Sequence, residues 1–274
     1  ISYHNLFLGT VIGFIGSALF VVSAKLPAAK VPEFKGVYYR IKQGTKIYFN
    51  TPRLKALLAL NLAIASASAV VIVNTVVLVQ STFKLNEHAT TWAFGLFGLG
   101  SMLSAFILPK VLDKFNDRSV MLSGTAILVV GLFSGYFISS YNWLLALWFV
   151  LGIGYSVSQT PTGRLIRKSA SSENRTSLFA AQFAFSHACW LIAYPLVGWL
   201  STNFGTLFTF VPMAFIALVA MSLAFVIWPK QDDSVLPHSH ADLPADHEHL
   251  LTHNHDGKHA HDYVIDEYHQ RWPK

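Results

Sequence analysis

Charge is scarce in this 274-residue sequence: only 12% of its residues are Asp, Glu, Lys or Arg, against roughly 25% in a soluble globular chain. With 53% hydrophobic residues and a mean hydropathy of +0.44, that shortage excludes a disordered protein. It also excludes a nucleic-acid-binding domain and most water-soluble enzymes. Cysteine is nearly absent. The single Cys189 rules out a disulfide framework and a zinc site made of cysteines alone. A starting methionine is missing too, since the first residue is Ile1. No basic region precedes an apolar run with a small-residue cleavage site. The expectation is a piece of a longer protein.

What the sequence has in abundance is long apolar runs. A bilayer core of about 30 Å is crossed by roughly 20 apolar helical residues. Seven stretches meet that length, at about 6–24, 54–79, 91–108, 120–139, 143–162, 178–200 and 207–228. Apart from Lys55 at the edge of the second, none holds a Lys, Arg, Asp or Glu. A soluble helical core would show a charged stripe on each helix. In hydrocarbon a helix satisfies its own backbone, so the pattern predicts an all-α membrane protein with seven transmembrane helices.

The loops orient the bundle. Eight basic residues lie in 25–55, three in the turn after the third span (Lys110, Lys114, Arg118) and four after the fifth (Arg164, Arg167, Lys168, Arg175), while the intervening loops hold only Lys84. That alternation predicts, by the positive-inside rule, basic loops and a carboxyl terminus in the cytoplasm of a multi-pass protein of the cell (inner) membrane. The organisation reads as one span (1–26), a basic cytoplasmic linker (27–53), six spans with short turns (54–229) and a tail (230–274). From Lys230 onward four basic residues face nine acidic ones, a balance of −5, and the remainder carries +11. The end of the tail is therefore expected to dock on the basic loops.

The turn Pro109-Lys-Val-Leu-Asp113-Lys114-Phe-Asn116-Asp117-Arg118 resembles the cytoplasmic pattern G-x-x-x-D-R/K-x-G-R/K-R/K of the major facilitator superfamily. Asp113, Lys114 and Arg118 match; Pro109 and Asn116 replace glycines, and Asp117 replaces a base. The resemblance covers essentially all of residues 1–230. It implies the last helix of an N-terminal half plus the six-helix C-terminal half of a twelve-helix transporter. Asp113 is expected at a helix end, accepting bonds from free N–H groups and pairing with a cation, so that Asp113, Lys114 and Arg118 act as a gating latch. Gln159-Thr-Pro-Thr-Gly-Arg-Leu-Ile-Arg-Lys168, the run from Phe179 to Trp190 and the histidine-rich tail resemble the nickel-resistance exporters of that superfamily. This implies proton-driven efflux.

Polar side chains inside spans usually face a bundle interior or a water-filled cavity. Asn61, Asn74, Gln159, Gln182, Ser186, His187 and Cys189 are the candidates for a transport path. At 100° per residue Gln182, Ser186 and Cys189 share one face, and His187 lies roughly 100° round. His187 suits a proton or metal relay, yet a neutral histidine bonded between helices is the favoured reading. No carboxylate lies deep in these spans, which favours a proton site in the missing half. Gly9-x-x-x-Gly13 and Gly131-x-x-x-Gly135 offer faces for close helix approach.

The tail holds four His-x-His pairs: His238/His240, His247/His249, His253/His255 and His259/His261. In extended chain, residues two apart project to one side. Imidazoles interspersed with carboxylates suit transition metals. The tail is thus a metal-ligand candidate for nickel, cobalt or zinc, and is expected to be unstructured without them. No tightly bound cofactor is implied. The expected partners are the lipid bilayer, the missing half, metal ions and protons, with no nucleic acid. The leading function is a proton-coupled efflux pump for nickel or a related divalent metal, and not an enzyme. An exporter of drugs or small organic molecules with a metal-buffering tail is the same-class alternative. A membrane metal sensor, or a metalloenzyme using His249-x-x-x-His253 and His255-x-x-x-His259, belongs to a different class.

Overall fold

A computed structural model describes residues 3–24, 36–232, 235–238, 250, 254–255, 258–266 and 268–273. Residues 1–35 and 36–274 form two separate units. The first contains α1 (Tyr3–Ser23), an apolar helix closed by Ser23, whose Oγ donates to the Phe20 carbonyl at 2.9 Å.

The second unit opens with α2 (Val37–Asn50) and continues through α3 (Pro52–Val76), α4 (Glu87–Leu112), α5 (Asp117–Gly135), α6 (Tyr141–Gln159), α7 (Thr162–Lys168), α8 (Arg175–Phe204) and α9 (Phe210–Ile227). Local chemistry sets the boundaries. Pro52 starts α3 where its missing N–H costs nothing. Asn86, Asn116 and Ser140 cap α4, α5 and α6 by accepting the N–H groups of Ala89, Ser119 and Trp143. Pro161 separates α6 from the basic α7. The helix α3 runs on as a π-helical turn over Val77–Thr82.

Six helical stretches among the described residues are long and apolar enough to cross a membrane: Pro52–Thr82, Glu87–Leu112, Asp117–Gly135, Tyr141–Lys168, Arg175–Phe204 and Phe210–Ile227. They coincide with the last six expected spans. The described apolar run of α1 is Thr10–Ser23. Within the second unit α3 is central, packing on α5, α6, α8 and α9, and it is buried over most of its length. By contrast α4 and α8 leave most of their surface facing outward.

Two apolar cores result. One joins α3, α5, α6, α8 and α9 through residues such as Val70, Leu128, Trp148, Val197 and Ala217. The other lies at the end of the unit rich in Lys and Arg, where Ile47, Tyr48, Leu57, Leu165 and Trp228 meet Tyr263 and Ile265. Two expectations are corrected there. Residues 27–53 are not linker throughout, because 37–50 form α2, which buries Gly44, Ile47 and Tyr48 against the unit. The tail is not wholly unstructured. Its described parts form β1 (Val235–Pro237), β2 (Asn254–His255) and β3 (Lys258–Asp262), antiparallel in the order β1-β3-β2. The apolar side chains Tyr263 and Ile265 anchor its end in the second core.

Helices α4 and α6 approach closely because each offers a glycine to the other's backbone. A Cβ on Gly152 would meet the Phe97 carbonyl oxygen, and one on Gly100 would meet that of Phe149. Apolar patterning did not single out this pair. Without a hydrophobic drive between helices in lipid, such backbone proximity is what association depends on. Replacing Gly152 with Val is therefore expected to part α4 from α6 and cost about 1–3 kcal/mol or more. Gly98→Ala, at a site with open space, should be nearly silent. Melting temperatures in detergent distinguish the two.

Candidate functional site

The transport-path candidates do not converge on one point. The Asn74 side chain is buried and its Nδ2 donates to Thr209 Oγ1 at 2.6 Å, tying α3 to the start of α9. Beside it Trp148 Nε1 donates to Thr75 Oγ1 at 2.8 Å. Gln182 is buried, and its Oε1 accepts the Tyr48 hydroxyl at 2.5 Å, tying α8 to α2. Burial, with Cys189 close by, pushes the Tyr48 phenol above its usual range, so it stays a donor. Cys189 is buried with a free thiol. Ser186 and Gln159 are half-buried. Asn61 is buried on α3, and its Nδ2 has no hydrogen-bond partner among the described residues.

His187 takes the other side of α8, as the helical angle requires. It is exposed, its ring lies 3.9 Å from that of Phe183, and its Nδ1 donates to the Phe183 carbonyl at 2.8 Å. The carbonyl can only accept, so Nδ1 carries the proton and Nε2 is left basic on an outward face.

The turn between α4 and α5 works differently from the expectation. Asp113 is exposed and forms the C-cap of α4, where the open backbone groups are carbonyls and offer it no N–H bonds. Lys114 is exposed as well. The acid that stands at a helix start beside a cation is Asp117, in the first turn of α5, 94% buried and 3.4 Å from Arg164 Nε of α7. Arg118 is half-buried and bonds across the unit. Its Nε donates to the Trp228 carbonyl at 3.1 Å and its Nη2 to the Phe225 carbonyl at 2.9 Å, with the guanidinium 4.7 Å above the Phe225 ring. These contacts join the start of α5 to the end of α9, where cations suit the unpaired carbonyls.

A buried arginine organises the same end of the unit. Arg53, at the start of α3, is 1% exposed. Its Nε donates to Ser169 Oγ at 2.7 Å, its Nη2 to the Lys168 carbonyl at 2.8 Å and its Nη1 to Asp232 Oδ1 at 3.1 Å. Its guanidinium sits 5.0 Å from the centre of the Trp272 ring. Lys168 Nζ adds a second cation at 3.4 Å from Asp232 Oδ2. Thus α3, α7, the segment after α9 and the chain's end meet on one side chain. The sequence counted Arg53 and Lys168 as topology signals and gave no sign of their partners.

Above this hub three histidines gather. One nitrogen from each of His238, His261 and His269 lies within 4.8 Å of the others. His238 follows β1, and its backbone N–H donates to the His259 carbonyl at 3.0 Å. His259 and His261 share one face of β3, with rings 4.7 Å from that of His238. His269 is 2% exposed and stands outside the His-x-His pairs, so the spacing overlooked it. The signal that would have found it is Asp266, three residues earlier. Asp266 Oδ1 accepts His269 Nδ1 at 2.8 Å and the N–H groups of Tyr268 and His269. Burial pushes the Asp266 carboxyl up, but the bonds and charge of His269 outweigh it and hold it below the usual carboxylate range. Of the remaining expected ligands, His240, His247, His249 and His253 lie outside the described residues, and for His255 only the backbone, in β2, is described.

A sequence model of the Major Facilitator Superfamily matches residues 56–254. The chain belongs to that superfamily. It is also 21% identical over 190 residues to YfmI of Bacillus subtilis (strain 168), described as an uncharacterized MFS-type transporter. The match covers 68% of this chain but only 46% of YfmI, so the chain spans under half the length of that relative. Family and apolar helices together make it a multi-pass membrane protein of a transporter family, and not a metalloenzyme.

Removing Arg53 would leave Asp232 short of one cation and strip hydrogen bonds from Ser169 and the Lys168 carbonyl. Arg53→Ala is expected to cost about 3–5 kcal/mol, read as a lower melting temperature in detergent. Arg53→Lys should recover only part of it, because an ammonium lacks the planar fork that reaches three acceptors. An unchanged melting temperature for Arg53→Ala would remove this side chain from the centre of the contact network.

Proposed function

We propose that residues 54–229 are the C-terminal half of a twelve-helix secondary transporter, with residues 1–26 the last helix of the other half. The transporter exports nickel or a related divalent transition metal against protons, and its basic loops and tail lie in the cytoplasm. The observation that carries the metal reading is the convergence of His238, His261 and His269 on a chain of this superfamily. Three imidazoles suit nickel, cobalt, zinc and copper alike, so affinity alone does not choose the cargo.

The outward faces of α4 and α8 support a second half packed on this unit. On the α8 face His187 and Phe183 would then look toward the path between halves, where rocking about a midplane site gives alternating access. The buried Asn74 and Gln182 act as struts inside this half. The six spans hold no carboxylate deep in the membrane, so proton exchange is assigned to the other half. Asp117 and Arg164, with Arg118 on the α9 carbonyls, take over the gating role expected of Asp113.

The test is nickel retention in cells producing the full-length protein. Lower intracellular nickel and higher nickel tolerance are expected, and unchanged nickel content would overturn metal export. Deleting residues 237–262 separates the alternative, an exporter of small organic molecules whose tail only buffers metal. Loss of metal tolerance supports the metal exporter, and tolerance to organic toxicants that survives the deletion, with no metal phenotype, supports the alternative.

A further inference from the structure

The three histidines of the terminal lobe share a tautomer. His238 Nδ1 donates to the Leu236 carbonyl at 2.8 Å, His261 Nδ1 to the Asp262 carbonyl at 2.9 Å and His269 Nδ1 to Asp266 Oδ1 at 2.8 Å. Carbonyl and carboxylate oxygens only accept, so each Nδ1 holds a proton and Nε2 is the nitrogen each ring has left to offer a cation. His238 Nε2 and His269 Nε2 stand 2.9 Å apart. Two lone pairs at that distance repel each other unless a cation, metal or proton, lies between them. Metal-bound histidines have this arrangement, one nitrogen on the ion and the other donating to a carbonyl or carboxylate behind it.

The ligands come from three separate segments: the residue after β1, the middle of β3 and the loop before the chain's end. The same lobe touches the helices. Tyr263 and Ile265 are buried in the core shared with α2 and α3, and Trp272 lies over Arg53. The Tyr263 ring is 4.6 Å from that of His269 and its hydroxyl donates to the Arg271 carbonyl at 2.7 Å. Order at the histidines and docking on Arg53 are therefore coupled.

We infer that His238, His261 and His269 form one transition-metal site whose occupancy fastens the terminal lobe to the end of the helical unit that carries Arg53. The site is a fixed cross-link and takes a borderline cation of the zinc, cobalt, nickel and copper group. It uses His269, which no His-x-His pair contains. The inference does not depend on what the transporter carries, so a failed nickel-retention assay leaves it standing.

The test uses full-length protein in detergent in which His240, His247, His249, His253 and His255 are replaced by Asn. Cobalt(II) is the probe, followed by its visible absorption and by hydrogen exchange of residues 259–272. One cobalt per chain is expected, with the absorption of a low-coordinate site. His269→Ala and the more conservative His269→Gln should abolish it. Asp266→Asn should weaken it by about 10–100-fold, through loss of the carboxylate behind His269. At cobalt roughly a hundredfold above its dissociation constant, exchange in the lobe should slow by about a hundredfold. Cobalt binding that survives both His269 variants would overturn the site, and so would no binding to the five-fold Asn variant, which would leave a shared proton between the rings. Binding without slower exchange would overturn the fastening role.

Discussion

A guanidinium taken out of water at the foot of α3 is the constraint on which this end of the molecule depends. Burying a charge costs several kcal/mol unless it is paired and hydrogen-bonded. Arg53 meets that condition only if α7 delivers Ser169 and the Lys168 carbonyl while the segment after α9 delivers Asp232. The helices at this end therefore hold their places together. The pairs Asp117 with Arg164, and Arg118 with the α9 carbonyls, extend the same logic around the rim.

Within the bundle a second set of polar contacts does the complementary work. Asn74 with Thr209 and Trp148 with Thr75 join helices where no water competes. Asn74 had been a candidate for a substrate path, and geometry instead gives it a partner within this unit. In hydrocarbon a polar residue is costly unless partnered, and a neighbouring helix supplies that partner as readily as a substrate does. Asn61, buried without a partner for its Nδ2, and His187, turned outward, are among those not absorbed in this way.

The helices were legible because hydrocarbon imposes a length and an absence of charge that no other environment demands. The expected 91–108 lies within α4 and 143–162 reaches just past α6, with caps at Asn86 and Ser140 that the apolar pattern does not register. The superfamily was legible from the turn around Asp113, although the buried acid paired with a cation there is Asp117. A spacing pattern does not distinguish the last residue of one helix from the first of the next. Arg53, Lys168 and Asp232 were counted as charges and not as a cluster, since their sequence separations of more than a hundred and of sixty-four residues carry no local signal. His269 escaped because it stands outside the His-x-His pairs, and its one local sign was Asp266, whose Oδ1 accepts its Nδ1.

The pairing of β1 with β3 has one more implication. Leu236 stands opposite His261, and Pro237 opposite Ala260. Side chains alternate along a strand, so sliding β3 by a single position would bring Ala260 and Asp262 to the side where imidazoles now stand. The lobe thus reads its own alignment. An insertion inside β3 would erase the constellation without altering its composition.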